Sequence, residues 1–196
     1  MDALDAIMTR RSTRKFKAEA VEPENLKKII EAGRVAPSGG NSRTNHFFVI
    51  SDPAVLQELV ALVEAAFAKM EVTENTYQSL KAAINMSKKG GFVFTYHAPI
   101  LIAVANRKGY DNNLADTAVA LENMMIAANA LDLATCYNNQ LRWLNEDTSL
   151  LEYFRKRGLK EDERIYGGIV LGAPDTPDGL PNRKSLPDKG NEVTFI

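Results

Sequence analysis

The stretch Arg10-Arg11-Ser12-Thr13-Arg14-Lys15-Phe16 organises the rest of the chain. It places three arginines and a serine hydroxyl within five positions, directly after a short segment with apolar residues at helical spacing. Arginine presents a planar fork of donors that matches a phosphate, and serine adds one more donor. A phosphomonoester carries about −1.5 to −2 charges at neutral pH, so several cations must converge on it. The stretch predicts either a phosphate site or, as is common for charge runs, a solvated basic turn.

Two further features favour the phosphate site. The loop Ala36-Pro37-Ser38-Gly39-Gly40-Asn41-Ser42 follows the next predicted helix, and its glycines allow the backbone to approach a ligand or a partner closely. A second basic pair, Arg183-Lys184, lies near the C-terminus. Taken alone, such a loop usually only turns the chain.

Five motifs, in order along the chain, resemble those of the FMN-dependent nitroreductase family. The stretch 10–16 is similar to that family's opening motif, and residues 36–42 are similar to its A-P-S-x-x-N-S motif. The other three are a core strand at Ala98-Pro99-Ile100-Leu101-Ile102, a central helix at Leu121-Glu122-Asn123-Met124-Met125-Ile126-Ala127-Ala128, and a late turn at Leu171-Gly172-Ala173-Pro174. The resemblance covers essentially the whole chain.

Periodicity and capping signals predict elements of both kinds. Helices are predicted at residues 2–9, from Pro23 to the loop at Pro37, from Asp52-Pro53 to Phe67, at about 74–87, at 114–131 and at 147–157. Strands are predicted at 47–50, 100–104, 134–137, 165–171 and 192–196. Strands and helices mix without regular alternation, which favours an α+β fold. A chain of 196 residues fits one domain, residues 1–196.

The resemblance implies a specific version of this fold. It implies a mixed central β-sheet flanked by helices, in an intertwined homodimer that carries FMN at the subunit interface. It also favours exchange of the C-terminal strand Glu192-Val193-Thr194-Phe195-Ile196 to the partner. The alternative for that segment is a frayed, solvated terminus, which is the usual state of chain ends.

The resemblance also implies which residues contact FMN. Arg14 would approach the pyrimidine edge of the flavin, where a cation stabilises the negative charge of the reduced ring. The implied contacts of the phosphate and the ribityl chain are Arg10, Arg11, Ser12 and Arg183. A loop from the other subunit would supply Pro37, Ser38, Gly39 and Asn41. Asn139 and Gln140 would lie near flavin N5 and O4.

The side chains offer no conventional catalytic constellation. His46 and His97 have no cysteine or acid neighbours at metal-ligand spacing, so no metal site is predicted and both are interpreted as structural. Cys136 lies in an apolar strand, where an inert thiol is expected. We therefore assign no catalytic residue and expect a cofactor to carry the reaction.

Composition excludes several kinds of partner. A formal net charge of −1 gives no overall attraction to nucleic acid or to anionic membranes. No apolar run approaches the roughly 18 residues of a membrane span. The single cysteine cannot form an internal disulfide, and the first residues lack a signal-peptide pattern, so a cytoplasmic location is predicted.

The predicted function is that of an FMN-dependent oxidoreductase. NADH or NADPH would reduce the flavin at N5 and leave, and a small-molecule electron acceptor such as a nitroaromatic or a quinone would follow in a ping-pong cycle. The alternatives are a non-enzymatic FMN carrier, a related flavin reaction (reductive dehalogenation or flavin degradation), and a basic-loop interaction module without flavin.

Three departures from the family pattern bear on this prediction. Arg43-Thr44-Asn45-His46 stands where the family usually has Gln-Pro-Trp, which adds a charge near the flavin or the dimer interface. Asp132 stands where a glycine often follows the long helix, and Ala173 replaces a tyrosine. Substrate preference is therefore not carried over.

Overall fold

A computed structural model of the chain describes residues 1–184 and 190–196. The helices in this part are α1 Ala3–Thr9, α2 Pro23–Arg34, α3 Pro53–Ala68, α4 Gln78–Lys89, α5 Asn113–Ala130, α6 Gln140–Trp143 and α7 Thr148–Arg155. The strands are β1 His46–Ile50, β2 Ile100–Arg107, β3 Ala134–Asn138 and β4 Glu163–Gly172. No helix of the described residues is both long and apolar enough to cross a lipid bilayer.

The strands form one sheet in the order β1-β2-β4-β3. The predicted α+β class, with a central sheet flanked by helices, is confirmed. Every pair of neighbouring strands in the described residues is antiparallel, whereas a mixed sheet was expected; the parallel contact seen there is an isolated bridge between Ser12 and Thr135. The C-terminal residues 190–196 form no strand within the single chain, so they do not add a parallel neighbour to its own sheet.

The core lies on both faces of the sheet, and β2 separates its two halves. Leu101 and Ala103 belong to the cluster that packs against α3, α4 and α7, while Ile102 and Val104 belong to the cluster that packs against α2 and α5. Residues 100–105 are all buried, as the continuous apolar sequence of this strand predicts.

Helix α5 is the central helix, as its sequence predicts. Its buried residues recur in adjacent pairs every four positions, from Asp116-Thr117 to Ala128-Asn129, and form one broad face that packs against α1, α2 and three strands of the sheet, whereas Leu114 and Val119 are exposed. The approach of α2 is close enough that a Cβ at Gly33 would overlap the side chain of Met124. A rigid 18-residue helix therefore runs through the molecule beneath the candidate site.

One helix begins later than the sequence predicts, and another was not predicted. Helix α4 begins at Gln78 rather than near residue 74, because the Thr76 hydroxyl accepts a hydrogen bond from the Thr73 amide (2.8 Å) and holds a turn there. Helix α6 was not predicted, since a four-residue helix is too short to show a period.

The C-terminal segment, predicted to be a strand, has no regular structure in the single chain. Its apolar side chains are exposed: 72% for Val193 and 93% for Phe195. Of the connecting tail, residues 185–189 lie outside the described residues. The exchange of this segment to a partner stays a prediction.

Candidate functional site

Helix α1 carries the chain to the basic stretch. Its N-terminus is capped by Asp2, whose carboxylate accepts a hydrogen bond from the Asp5 amide at 2.9 Å. At its other end, Asn129 of α5 donates to the Ala6 carbonyl (2.9 Å) and to the Thr9 hydroxyl (3.0 Å). Because Asn129 is buried, these bonds fix the point at which the basic stretch begins.

The basic stretch then follows the edge of the sheet. The Thr13 amide donates to the Thr135 carbonyl (2.9 Å), and the Lys17 amide donates to the Ala173 carbonyl (3.0 Å). Arg14 lies between these anchors, with its guanidinium 5.8 Å from the centre of the Tyr96 ring. The segment is therefore an ordered part of the fold and not a freely solvated basic turn.

In the structure, the C-terminal basic pair Arg183-Lys184 lies against the basic stretch 10–16. The Arg11 Nε donates to the Lys184 carbonyl at 2.9 Å. Arg183 donates from Nη2 to the Asn129 carbonyl at 2.7 Å, at the end of α5. Arg10 contacts Glu122 of the same helix, with its Nε 3.3 Å from the carboxylate. Residues more than 170 positions apart thus form one cationic group beside α5.

Asp132 holds Arg183 in place. Its Oδ1 accepts from Arg183 Nη2 at 2.7 Å. Asp132 has φ of +60°, which explains why glycine suits this position: the left-handed region costs glycine little, and aspartate tolerates it better than most residues. The departure from glycine therefore keeps the turn and adds a carboxylate that orients the arginine.

A second group of predicted site residues forms a tight turn at Gly39–Asn41. The buried carboxylate of Asp116, 5% exposed, accepts from the Gly39 amide (3.0 Å) and lies 3.1 Å from the Tyr110 hydroxyl. A Cβ at Gly39 would overlap the side chain of Asn112. The Arg43 amide donates to Ser38 Oγ at 3.1 Å and closes the turn.

The turn and Arg183 lie at opposite ends of α5. Asp116 anchors the turn near the start of the helix, and Asn129 anchors Arg183 near its end. Thirteen residues of helix separate them, about 20 Å at about 1.5 Å per residue. Within the described part of one chain, Pro37, Ser38, Gly39 and Asn41 are therefore not brought together with Arg183, whereas Arg10 contacts Glu122 in the middle of the helix.

Asn139 and Gln140 lie where β3 ends and α6 begins. The Gln140 amide donates to Asn138 Oδ1 (3.2 Å), and Asn138 donates to the Phe94 carbonyl (2.9 Å). These two bonds hold the turn in place against the segment that contains Phe94. The Oδ1 of Asn139 is buried and has no donor among the described residues. An unpartnered buried acceptor is rare in proteins and fits a ligand that presents an N–H group.

Cys136 is buried, and His46 is paired with a buried acid. Burial raises the pKa of the Cys136 thiol, and the nearby Arg14 offsets this only in part, so the thiol stays neutral. His46 Nδ1 lies 2.9 Å from the buried carboxylate of Glu163. No group of three or more potential metal ligands occurs in residues 1–184 and 190–196.

The pair of Glu163 with His46 makes stability depend on pH. Burial raises the pKa of the Glu163 carboxyl, but hydrogen bonds from His46 and from the Lys160 amide outweigh it, so the pKa lies below its ordinary value. A carboxyl with a depressed folded-state pKa stabilises the fold above its unfolded pKa of about 4.3. That contribution is lost as the pH falls through the folded-state value.

We therefore expect the variant Glu163→Gln to have a flatter pH profile of Tm than the parent protein. The gap in Tm between the two should shrink below about pH 4.5, by about 2–4 °C for each kcal/mol lost. Differential scanning fluorimetry over acidic pH tests this. The control is Glu161→Gln, which changes an exposed acid paired with Arg155. The difference in Tm between this variant and the parent should stay constant over the same pH range. Parallel curves for all three proteins would contradict the assignment.

Neither Asp116 nor Tyr110 was predicted from the sequence. Asp116 reads as an ordinary acid in the first turn of a helix, and its contact with Gly39 spans 77 positions of sequence. Tyr110 reaches Ser42 and Gly39 across a similar separation. Only the packing of α5 against the turn shows that these side chains hold predicted site residues in place.

Comparison with known proteins agrees with this geometry. The profile of the Nitroreductase family matches residues 7–173. A Haemophilus influenzae protein named "Putative NAD(P)H nitroreductase" is 29% identical over 172 residues, 88% of each chain. The crystal structure of a Bacteroides fragilis nitroreductase with bound FMN superposes with a TM-score of 0.83 at 29% identity, over 100% of both chains. A Desulfitobacterium hafniense nitroreductase with bound FMN gives 0.80 at 26% identity, over 100% of this chain and 99% of the other.

The family match spans the basic stretch, the Asp116-anchored turn and the whole sheet, and the fold agrees over the full chain. The chain therefore belongs to the nitroreductase family.

Proposed function

We propose that this protein is an FMN-dependent oxidoreductase that passes hydride from NADH or NADPH to an oxidised small molecule, such as a nitroaromatic or a quinone. The observation that carries the proposal is the cationic group formed by Arg10, Arg11 and Arg183 beside the ordered Arg14. The nitroreductases of Bacteroides fragilis and Desulfitobacterium hafniense, which share this fold, contain FMN. The name of the Haemophilus influenzae relative supports NAD(P)H as the donor.

The residues present fit FMN in their chemistry. A phosphate requires several converging cations, which the first basic cluster and Arg183 supply together with the hydroxyl of Ser12. A flavin ring also carries an N–H donor, which would satisfy the buried Asn139 Oδ1. Gln140 follows Asn139 on the same turn and is proposed to lie beside it against the ring.

Bound FMN would supply the exchange of electrons between donor and acceptor. The role of the protein is to bind and orient the flavin and to polarise its ring. Arg14 is held beside Tyr96 and over the end of β3, so it offers a fixed positive charge. Cys136 beneath it stays a neutral thiol and takes no part in the chemistry.

The proposed site needs two copies of the chain. Pro37, Ser38, Gly39 and Asn41 lie about 20 Å along α5 from the anchor of Arg183, so in a homodimer the partner would supply them. Exposed apolar side chains support such a dimer, because Leu4 and Met8 on α1 are 73% and 72% exposed. A cluster of this kind on a soluble protein commonly marks an interface.

Absorbance spectroscopy of the purified protein tests the proposal directly. We expect a yellow protein with the flavin spectrum, which NADH or NADPH bleaches and a quinone or nitroaromatic restores. Bound flavin without bleaching would support an FMN carrier instead. Protein that neither contains nor takes up FMN would overturn the proposal and favour an interaction module.

The position of Arg14 gives a separate prediction. Replacing Arg14 by glutamine should lower the flavin midpoint potential, because the fixed cation stabilises the anionic reduced ring. A shift of about 30 mV corresponds to about 1.4 kcal/mol for a two-electron couple. Spectroelectrochemical titration measures it, with Arg155→Gln on α7 as a remote control. An unchanged potential with FMN still bound would place Arg14 away from the ring.

A further inference from the structure

A cavity of about 560 Å³ opens at the end of the sheet opposite the basic stretch. Ile100, at one end of β2, pairs with Leu171 close to where the basic stretch contacts β4, while Arg107 at the other end of β2 lines the cavity. The charged residues in its lining are four cations and two carboxylates: Arg34, Arg43, Arg107, Lys160, Asp162 and Glu163. With neutral histidine, the lining has a formal charge of +2.

Two of the four cations are paired, Arg34 with Glu31 outside the lining (2.8 Å) and Lys160 with the carboxylate of Glu163. That carboxylate is buried, and its Oε2 accepts from His46 Nδ1 (2.9 Å) and from the Lys160 amide (3.0 Å). The Lys160 ammonium lies 3.5 Å from the other oxygen and is itself exposed. Asp162 is therefore left as the only carboxylate of the lining without a side-chain partner in the described part of the chain.

Two of the cations keep donors available. Arg107 makes no ion pair and no side-chain hydrogen bond within residues 1–184 and 190–196. Arg43 donates from Nε to Asn41 Oδ1 at 3.0 Å, which orients the guanidinium without neutralising its charge. The backbone of Arg43 has φ of +49°, a conformation that costs a non-glycine residue energy and is often retained at binding sites.

The floor of the cavity is rigid. Asn45 accepts from the fully buried Asn106 (2.8 Å) and donates to the carbonyl of Asp116 (2.9 Å) on α5. The same helix anchors the turn that precedes Arg43. Arg34 ends α2, Arg107 ends β2, Arg43 follows the Gly39 turn, and Lys160 precedes β4. The backbone amides of Arg43 and Lys160 are held by hydrogen bonds to Ser38 Oγ (3.1 Å) and Glu163 Oε2 (3.0 Å).

We propose that this cavity binds a nucleotide-sized ligand through its phosphate. Two available guanidinium groups and an ammonium are the donors that a phosphate dianion prefers. A volume of about 560 Å³ is larger than one phosphate requires and falls in the range of pockets for small organic ligands. The ligand would be either the phosphate-bearing half of NADPH, in which case the inference rests on the proposed function, or a separate nucleotide.

Isothermal titration calorimetry with adenosine 2′,5′-bisphosphate, on the full-length protein with FMN added, tests the proposal. We expect binding that weakens with added salt, since exposed charges are screened. Arg107→Gln and Lys160→Gln should each weaken it by about two- to tenfold. The matched control is Lys108→Gln, the adjacent cation, which is paired with Glu146 at 2.7 Å and lies outside the cavity. That variant should bind like the parent.

Absence of binding, or equal affinities for all three variants and the parent, would overturn the site. Inorganic phosphate that binds as tightly as the bisphosphate would overturn a nucleotide-sized ligand. Arg107 and Lys160 are exposed and lie on different elements, so one variant suffices if the other fails to fold.

Steady-state kinetics identify the source of the ligand. A raised KM for NADPH in Arg107→Gln, with kcat retained, would show that the cavity binds the electron donor. An unchanged KM with weakened bisphosphate binding would show that it binds a separate nucleotide. Both outcomes support the site. Protein that binds the bisphosphate but no FMN overturns the proposed function alone. A flavin enzyme that does not bind the bisphosphate overturns the cavity site alone.

Discussion

Replacing Arg10 by alanine should weaken FMN binding at least about tenfold and leave riboflavin binding nearly unchanged. Charge-assisted hydrogen bonds to a phosphate are each worth about 1.5–3 kcal/mol, and about 1.4 kcal/mol is one decade in affinity. Arg10 keeps most of its guanidinium available, because Glu122 contacts it at Nε. That ion pair is partly exposed and worth about 0–1 kcal/mol, so its loss should not unfold the protein.

Fluorescence titration of the apoprotein with FMN and with riboflavin separates the phosphate from the rest of the ligand. The control is Arg155→Ala, another partly exposed arginine in an ion pair, on the remote helix α7. Its affinities for both flavins should match those of the parent. Equal losses of affinity for FMN and riboflavin in Arg10→Ala would show that the phosphate does not bind at this site. Arg10 would then contact the flavin ring or stabilise the fold.

Most of the fold could be predicted because its signals are local. Proline at the first position of α2, the Asp52 cap of α3 and the continuous apolar run of β2 each identify an element without knowledge of its neighbours. The boundary that was missed, at the start of α4, depends on a hydroxyl contact between Thr73 and Thr76 that competes with the helix. Sequence periodicity carries no information about such a contact.

The residue types of the candidate site could be predicted from the sequence, but the way in which the fold brings these residues together could not. Arginines, a serine and a glycine loop are visible in the sequence, and the tail does return to the first cluster through Arg11 and Lys184. The groups that hold them, Asp116 and Asn129, are buried polar residues whose partners are distant in sequence. The separation of the Gly39 turn from Arg183 along α5 also emerges only from the structure, and it is the strongest reason to expect a shared site.

The C-terminal segment gives the second large prediction, and it concerns the dimer. Among the described residues, strand β1 pairs with β2 alone, so it is an edge strand of the sheet. A groove lined by Phe48, Val55 and Phe154, with Asp52 and Arg157 also in its lining, runs beside it. An exposed edge with unpaired backbone groups is a ready template for another strand. The exposed, alternating Val193 and Phe195 of a partner would suit both the edge and the groove.

Deleting residues 191–196 should therefore weaken the dimer by at least about a hundredfold and loosen FMN with it. Burying one valine or phenylalanine side chain is worth about 1.5–3 kcal/mol, and a two-fold dimer buries each of them twice. FMN should loosen because the proposed site takes Ser38 and its neighbours from the partner. Sedimentation velocity over a dilution series measures the first effect, and retained flavin absorbance measures the second.

A variant of unchanged length separates side-chain docking from loss of backbone pairing. Val193→Ser with Phe195→Ser should reproduce most of the weakening, whereas the control Glu192→Gln with Thr194→Ser changes only the polar positions of the alternation and should behave like the parent. If the truncated protein sediments as a full dimer at low concentration with its flavin intact, the tail is dispensable, and other exposed apolar surfaces, such as Leu4 and Met8 of α1, carry the interface.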